Sequence, residues 1–403
     1  MLQLIKLFAV IMLVTSSEGG LNTTFPPYLE ALGLPVGRIG FIVSLFGVTQ
    51  LAARLPSGAA YVGHRARVLL GGALALLALG TAGFAYDGGA FYVLALTLLH
   101  GFAFGAVTTI MLALVIEIKP PGVSHGATMG WYTAAISAGY AVGNSLGGFL
   151  ADRLGFQTGF VIIGLFPLLA ILAASLLQRP APPPAGGDAA PAAAAPREKR
   201  GFGRPDLSGL TPTILLAALV ALYINFLDDA VGTFFPLFGL SIGLSLTTIG
   251  ALRSAKSLTA TGIRPVSGFF FKFVNYRLLN NTAIVVWSVV VFLFPDMRLG
   301  WLFLLGFVVI GLSRGLIRVT SATMVAEEKS RRPAGLGLAS GVYNAGLDLG
   351  AFAGPIAGGL LAAAMGIPAM FRLVPAGLLI AYLLAAFLVT QAEKRATSAQ
   401  AVS

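Results

Sequence analysis

The sequence contains no cysteine, which removes disulfide frameworks and thiolate metal sites from consideration. It is nearly as poor in histidine. His64, His100 and His125 are all there are, they fall on separate predicted elements, and they lack the spacing of a metal-ligand cluster. There is no glycine-rich phosphate loop ending in Lys and Ser or Thr, so ATP is not expected to be the energy source. No other enzyme motif stands out, and the expectation is a non-enzymatic protein without a cofactor. Charge is scarce as well: Asp, Glu, Lys and Arg make up 10% of the 403 residues, against about a quarter in an ordinary soluble domain.

What is present is apolar. Hydrophobic residues account for 57% of the chain, and the mean hydropathy is +0.88. Runs of about 20 or more apolar residues recur along the whole length, each long enough to cross about 30 Å of hydrocarbon. The pattern predicts an all-α polytopic membrane protein with twelve transmembrane helices. They lie at roughly 4–29, 36–61, 66–86, 89–117, 124–151, 156–178, 208–237, 244–271, 276–295, 299–326, 334–363 and 368–391. The first run continues past Pro26 with no small-residue cleavage pattern, so it is expected to remain as a span. Residues 179–207 are rich in Pro, Ala and Gly and include a basic cluster. They are expected to form a flexible linker between an N-terminal unit, 1–178, and a C-terminal unit, 208–403.

The net charge of +11 follows from topology and does not imply a nucleic-acid partner. With the N-terminus in the cytoplasm, sixteen Lys and Arg fall in cytoplasmic loops and tails. Only Arg38, Arg153 and Arg298 fall in outer loops. That is the bias of a protein inserted positive-inside. The expectation is a multi-pass protein of the cell's inner (cytoplasmic) membrane, monomeric in the lipid bilayer, with both termini and the linker cytoplasmic.

The second half of the chain is a copy of the first. Residues 126–160 lie over 337–371 with twelve identities in 35 positions, among them Gly139, Gly143, Gly147, Gly148 and Gly155. At an offset of 210, Thr23, Phe25, Pro26, Gly33, Gly40, Ser44 and Arg54 recur as Thr233, Phe235, Pro236, Gly243, Gly250, Ser254 and Arg264. Each copy holds six spans, so the copies share one orientation and form a parallel repeat about an axis along the membrane normal.

Two units of six spans joined by a cytoplasmic linker resemble the major facilitator superfamily, over essentially the whole chain. The family's loop motif after the second span has the form G-x-x-x-D-R-x-G-R-R. Here Gly58 to Arg67 keeps the leading Gly and a basic tail but has Val62 in place of the Asp, and Gly268 to Lys272 is equally reduced. Gly139, Gly143, Gly147 and Gly148 resemble the span-five glycine motif of the drug and metabolite proton antiporters. Its Gly-Pro is Gly143–Asn144 in the first copy and Gly354–Pro355 in the second. The resemblance implies the major facilitator fold, two six-helix bundles with a pseudo-two-fold axis. It also implies a central cavity lined by spans 1, 4, 7 and 10, with 2, 5, 8 and 11 beside them. Gly143 and Gly354 would serve either as a sliding, gating contact between the bundles or as plain close packing.

Ionisable groups at hydrocarbon depth cost roughly 3 kcal/mol or more unless paired or hydrated, so each is a functional candidate. Near mid-span lie Glu18, His100, Asp228, Asp229, Arg253, Lys256, Arg314, Arg318 and Asp348. The repeat sorts them. Glu18 aligns with Asp228, but the cations have no counterparts. Arg253, Lys256, Arg314 and Arg318 stand where the first half has Val43, Phe46, Phe104 and Thr108, and Asp348 stands where it has Ser137. The first half makes the same helices without these charges, so packing does not require them. Arg314 and Arg318 are i,i+4 and Arg253 and Lys256 are i,i+3, so each pair shares a helix face.

These patterns make Arg253, Lys256, Arg314 and Arg318 the expected substrate-binding cations, with Asn22, Tyr132 and Tyr343 as polar lining. Glu18, Asp228 and Asp348 are the expected proton-coupling acids, and Asp229, Arg54 and Arg264 the expected gating charges. His100, opposite Ile310 in the repeat, is expected to be a packing residue. Two mechanisms stay open: the cations bind an anionic solute, or the acids neutralise them in bridges that latch one conformation. The expected function is a proton-coupled secondary transporter of a small organic solute. The resemblance favours an exporter, and the cations favour an anionic or zwitterionic substrate. An organic-anion importer, a lipid or lysolipid flippase and a non-transporting sensor remain as alternatives.

Overall fold

A computed structural model describes residues 2–62, 65–118, 125–177, 211–270, 273–331 and 336–402, with the expected linker at 179–207 outside them. Among the described residues there are eleven α-helices and no strand. The first half holds α1 (Leu2–Ala31), α2 (Val36–Ala60), α3 (Ala66–Gly83), α4 (Gly89–Glu117) and α5 (His125–Ser175). The second holds α6 (Pro212–Ser241), α7 (Leu246–Phe270), α8 (Tyr276–Phe292), α9 (Gly300–Arg331), α10 (Leu336–Met365) and α11 (Ile367–Val402).

Helix α5 carries two of the expected spans. It breaks at Gly155, where φ is 80° and ψ is 167°. The repeat partner Gly366 has φ 86° and separates α10 from α11. Glycine takes positive φ without steric cost, and both copies use it at the same point to turn the chain. Counting α5 as two gives the twelve spans. Ten described helices are long and apolar enough to cross a membrane. Helix α7 is not among them, because Arg253, Lys256 and its many Ser and Thr residues lower its hydropathy.

Helices α1 and α6 also end alike. Gly33 and Gly243 take φ of 79° and 87°, and the next residue's N–H reaches back into the helix. Leu34 N donates to Leu29 O at 3.2 Å, and Leu244 N donates to Gly239 O at 2.8 Å. These bonds satisfy carbonyls that the helix ends would otherwise leave bare.

The apolar packing divides unevenly. One core is made only of first-half residues, including Leu7, Val14, Leu74, Val107 and Leu177. The other joins Trp287, Phe294, Phe307 and Phe371 to Phe25, Tyr28, Phe84 and Phe160 of the first half. These first-half residues cluster at the end of the molecule that bears the α1–α2 and α6–α7 turns. The halves also meet there backbone to backbone. A Cβ added at Gly148 would lie 2.1 Å from Leu246 O, one at Gly250 2.2 Å from Asn144 O, and one at Gly40 2.3 Å from Pro355 O. Asp152 completes the contact by accepting from Leu246 N at 3.1 Å and Thr247 N at 2.6 Å, at the free amide end of α7.

Gly143 and Gly354 do something else. A Cβ at Gly143 would lie 2.0 Å from Ser16 O, and one at Gly354 2.4 Å from Phe226 O. Each packs a helix against a neighbour within its own half, α5 on α1 and α10 on α6. Of the two roles left open for Gly143 and Gly354, this geometry is the close packing. Gly148, Gly250 and Gly40 form the contact between halves, because they lie at the closed end on helices that face the other bundle.

Candidate functional site

Between the halves lies a cavity of about 490 Å³, within the roughly 300–1,000 Å³ of small-molecule sites. Its two walls differ in chemistry. The first half contributes Phe25, Val43, Phe46 and Phe104 together with uncharged polar groups such as Asn22, Gln50, Ser137, Tyr140 and Asn144, and the acid Glu18. The second half contributes Asp228 and Asp229 from α6, Arg253, Lys256 and Arg264 from α7, and Arg314 and Arg318 from α9.

Asp228 holds the charged wall together. Lys256 Nζ donates to its Oδ1 at 2.6 Å, and Arg314 Nε lies 3.2 Å from its Oδ2. The second contact is an ion pair only, because the Arg314 N–H is not aimed at the oxygen and makes no hydrogen bond. Arg253 Nη1 donates to Gly232 O at 2.5 Å. That carbonyl is available for a reason written in the sequence. Its helical partner would be the N–H of residue 236, and residue 236 is proline.

Donors remain unspent on this wall. Arg253 Nε and Arg314 Nε are buried without a hydrogen bond. The Arg318 guanidinium makes no hydrogen bond or ion pair among the described residues, and neither does the Asp229 carboxylate.

A second polar group sits behind the first-half wall. Glu18 reaches the cavity lining but is only 1% exposed, and His100 is fully buried. Glu18 Oε2 lies 3.0 Å from His100 Nε2, and Thr81 Oγ1 lies 3.2 Å from His100 Nδ1. Thr81 has one hydroxyl hydrogen and donates it to Leu77 O at 2.9 Å, the usual back-bond of a helical threonine. With that back-bond kept, the hydroxyl accepts from Nδ1, which places the ring N–H there. The contact at Nε2 then needs a proton of its own, on the glutamic acid or on the imidazolium. The Phe46 ring covers the histidine at a centroid distance of 5.0 Å.

A sequence model of the Major Facilitator Superfamily matches residues 7–338. The chain belongs to this superfamily. Among solved structures, a mutant of the nucleoside transporter NupG aligns at TM-score 0.74 and 15% identity, covering 96% of this chain and 99% of that one. A bacterial homolog of the human lysosomal transporter Spinster, inward-facing and occupied, aligns at TM-score 0.75 and 13% identity, with 96% of each chain covered. Both likenesses show the fold. A multi-drug resistance efflux pump PmrA homolog from Lactococcus lactis subsp. lactis (strain IL1403) is 29% identical over 151 residues, 36% of this chain. The match spans 37% of that relative's length. The protein is thus a multi-pass membrane protein with the twelve-helix fold of this superfamily.

Within this fold the structure brings Asn22, Glu18, Asp228, Asp229, Arg253, Lys256, Arg264, Arg314 and Arg318 to one cavity. It removes others from it. Tyr132 is 8% exposed inside the first-half core, and Tyr343 pairs its hydroxyl with Ser321 Oγ at 2.9 Å. Neither lines the cavity, a correction to the expectation from the repeat. Tyr140, two turns beyond Tyr132 on the same helix, takes that place. Asp348 is also elsewhere. It meets Arg54 across the seam, Nη1 lying 2.9 Å from Oδ1 and 3.0 Å from Oδ2, and so joins α10 to α2.

The gating set divides accordingly. Arg54 stands at the seam, whereas Asp229 and Arg264 face the cavity. His100 is the residue the sequence undervalued. The signal for it was present but displaced: the cation that meets Asp228 in the second half, Arg314, aligns one helical turn past His100.

Proposed function

We propose that the protein is a proton-coupled secondary transporter that exports a small organic anion or zwitterion by alternating access. The observation that carries the reading is the imbalance of the cavity. Four cations, Arg253, Lys256, Arg314 and Arg318, share it with three acids, Glu18, Asp228 and Asp229. Buried positive charge with unspent N–H donors favours a solute that brings negative charge and acceptors. The multidrug efflux relative supports export.

The proton is assigned to the Glu18–His100 pair. It lies between the first and fourth spans and holds one exchangeable proton in the geometry described. Losing that proton sets a carboxylate against a bare nitrogen unless the Thr81 hydroxyl turns to donate to Nδ1. Proton release is thereby tied to rearrangement of three helices. Asp228, fixed between two cations, serves as an electrostatic anchor for the solute site in preference to the coupling role expected from its alignment with Glu18.

The closed end carries the α1–α2 and α6–α7 turns, which the charge bias assigns to the outer face. That supports an inward-facing state. Arg54 and Asp348 act in this reading as a latch between halves, where the family's loop motif has lost its Asp. Asp348 is a latch group and not a coupling acid. Arg54→Ala or Asp348→Asn is expected to shift the balance of conformations by about 1 kcal/mol, roughly fivefold, because the arginine is partly solvated. Spin-label distances between α2 and α10 would read the shift, and the exchanged pair Arg54→Asp/Asp348→Arg should reverse it. Unchanged distances in both single variants remove the latch.

The test of the function is transport into or out of proteoliposomes under an imposed pH gradient, across panels of organic anions, zwitterions and cations. Gradient-dependent movement of an anion or zwitterion supports the proposal, and the direction separates exporter from importing symporter. Movement of cations alone, or movement indifferent to the gradient, overturns it.

A further inference from the structure

We infer that the transported solute is amphipathic, an organic anion with a carboxylate and a flat apolar body, held in one orientation across the cavity. The inference rests on the transport reading above and narrows it to a substrate class.

The argument comes from the repeat read in three dimensions. Val43, Phe46 and Phe104 occupy the positions in the first half that Arg253, Lys256 and Arg314 occupy in the second. All six line the cavity. The two bundles therefore present equivalent positions to the same space, apolar and aromatic at these three sites in the first half and cationic at their partners in the second. The Phe46 and Phe104 rings lie 6.3 Å apart at 36° to each other, a surface suited to a planar group. Opposite them the second half offers the Arg318 guanidinium, which makes no hydrogen bond or ion pair among the described residues, and buried N–H groups on Arg253 and Arg314 without acceptors there.

A solute that is only an anion, such as phosphate, leaves the aromatic wall wet. A solute that is only apolar leaves the guanidinium donors unpaired in a confined space. One that carries both groups satisfies both walls at once, and a carboxylate matches the planar fork of an arginine. An amine would place positive charge beside Arg253, Arg314 and Arg318.

The test uses the purified full-length protein in lipid nanodiscs and titration calorimetry with a matched series. The series is 3-phenylpropionate, its amide, the corresponding amine, acetate and inorganic phosphate. The expected result is binding of the aromatic carboxylate, with the amide and amine weaker by about tenfold or more, since a charged hydrogen bond is lost. Acetate and phosphate should be weaker still. Arg318→Ala should weaken the carboxylate about tenfold or more and leave the amide unchanged, whereas Phe46→Ala should weaken both alike. Arg318→Lys keeps the charge and loses the fork, and should fall between. If Arg318→Ala does not fold, the wild-type series decides alone.

Preference for the amine overturns the inference, as does equal binding of acetate, phosphate and the aromatic acid. So does an Arg318→Ala variant with wild-type preference. Transport is read separately. If the aromatic acid binds with the expected preferences but no solute moves under a pH gradient, the transport proposal fails and the amphipathic site stands. If gradient-driven movement is found only for polar anions or for amines, transport stands and this inference falls.

Discussion

Asp228→Asn is expected to destabilise the protein by about 3–5 kcal/mol while increasing the stabilisation an anionic solute confers. Both effects follow from one geometry. Asp228 is the carboxylate between Lys256 Nζ at 2.6 Å and Arg314 Nε at 3.2 Å, and all three side chains line a confined cavity. The amide keeps the shape and removes the charge, which leaves two cations facing each other without a counter-ion. A solute carboxylate can then replace the missing one, so it should raise the melting temperature of the variant more than that of the wild type. Removing one of the cations as well, in Asp228→Asn/Lys256→Met, should recover part of the lost stability, because the pair is coupled. Thermal unfolding with and without 3-phenylpropionate measures all of this. A melting temperature unchanged by Asp228→Asn would show that the cluster is solvated and not buried. A solute effect smaller than in the wild type would place the solute away from these cations.

Most of the architecture was legible in the sequence because a membrane offers few alternatives. Backbone groups must be satisfied within each span, so long apolar runs read directly as helices. Runs at 89–117 and 36–61 are observed as Gly89–Glu117 and Val36–Ala60, with glycine or proline beside the starting ends. The repeat added what hydropathy could not. Helix α7 is too polar to stand out as a span, yet Gly250, Ser254 and Arg264 align it with α2 and place it on the cavity. Which neighbour each motif glycine meets was not legible. A small-residue stripe says that some backbone approaches closely, but the choice of neighbour depends on which way the helix is rotated.

The same limit governed the site. That the second-half cations converge could be inferred from their spacing and from the first half's lack of them. Which acid meets which cation could not. Asp348 looked like a third cavity acid, and the antiparallel crossing of α2 and α10 takes it instead to Arg54, 294 residues away. Tyr132 and Tyr343 were linked by the repeat because both copies need them for packing, which is as strong a reason for recurrence as a shared ligand. His100 was passed over because position-by-position alignment set it against Ile310. Helices that contact the same partner can do so one turn apart, and on that scale His100 with Glu18 matches Arg314 with Asp228.

That pairing leads to the second large effect. Glu18→Gln is expected to abolish accumulation of solute driven by a pH gradient while exchange of solute across the membrane continues. With the membrane potential held at zero, one coupled proton sustains about a tenfold solute gradient per pH unit, since each unit is worth about 1.4 kcal/mol. The variant should fall to no gradient at all. The substitution is mild in structure. Glutamine has the same shape and can still bond to His100 Nε2, so a loss of folding is not the expected explanation of any effect. What disappears is the exchangeable proton between the two side chains. Thr81→Val probes the other side of the ring, keeping the shape and deleting the acceptor at 3.2 Å from Nδ1. It should lower the solute gradient that is reached without abolishing transport, because it changes the partner of the histidine and leaves the carboxyl in place. If Glu18→Gln still accumulates solute against a gradient, the coupling proton does not use this pair. Asp229, the cavity carboxylate with no hydrogen bond or ion pair among the described residues, is then the group left to carry it.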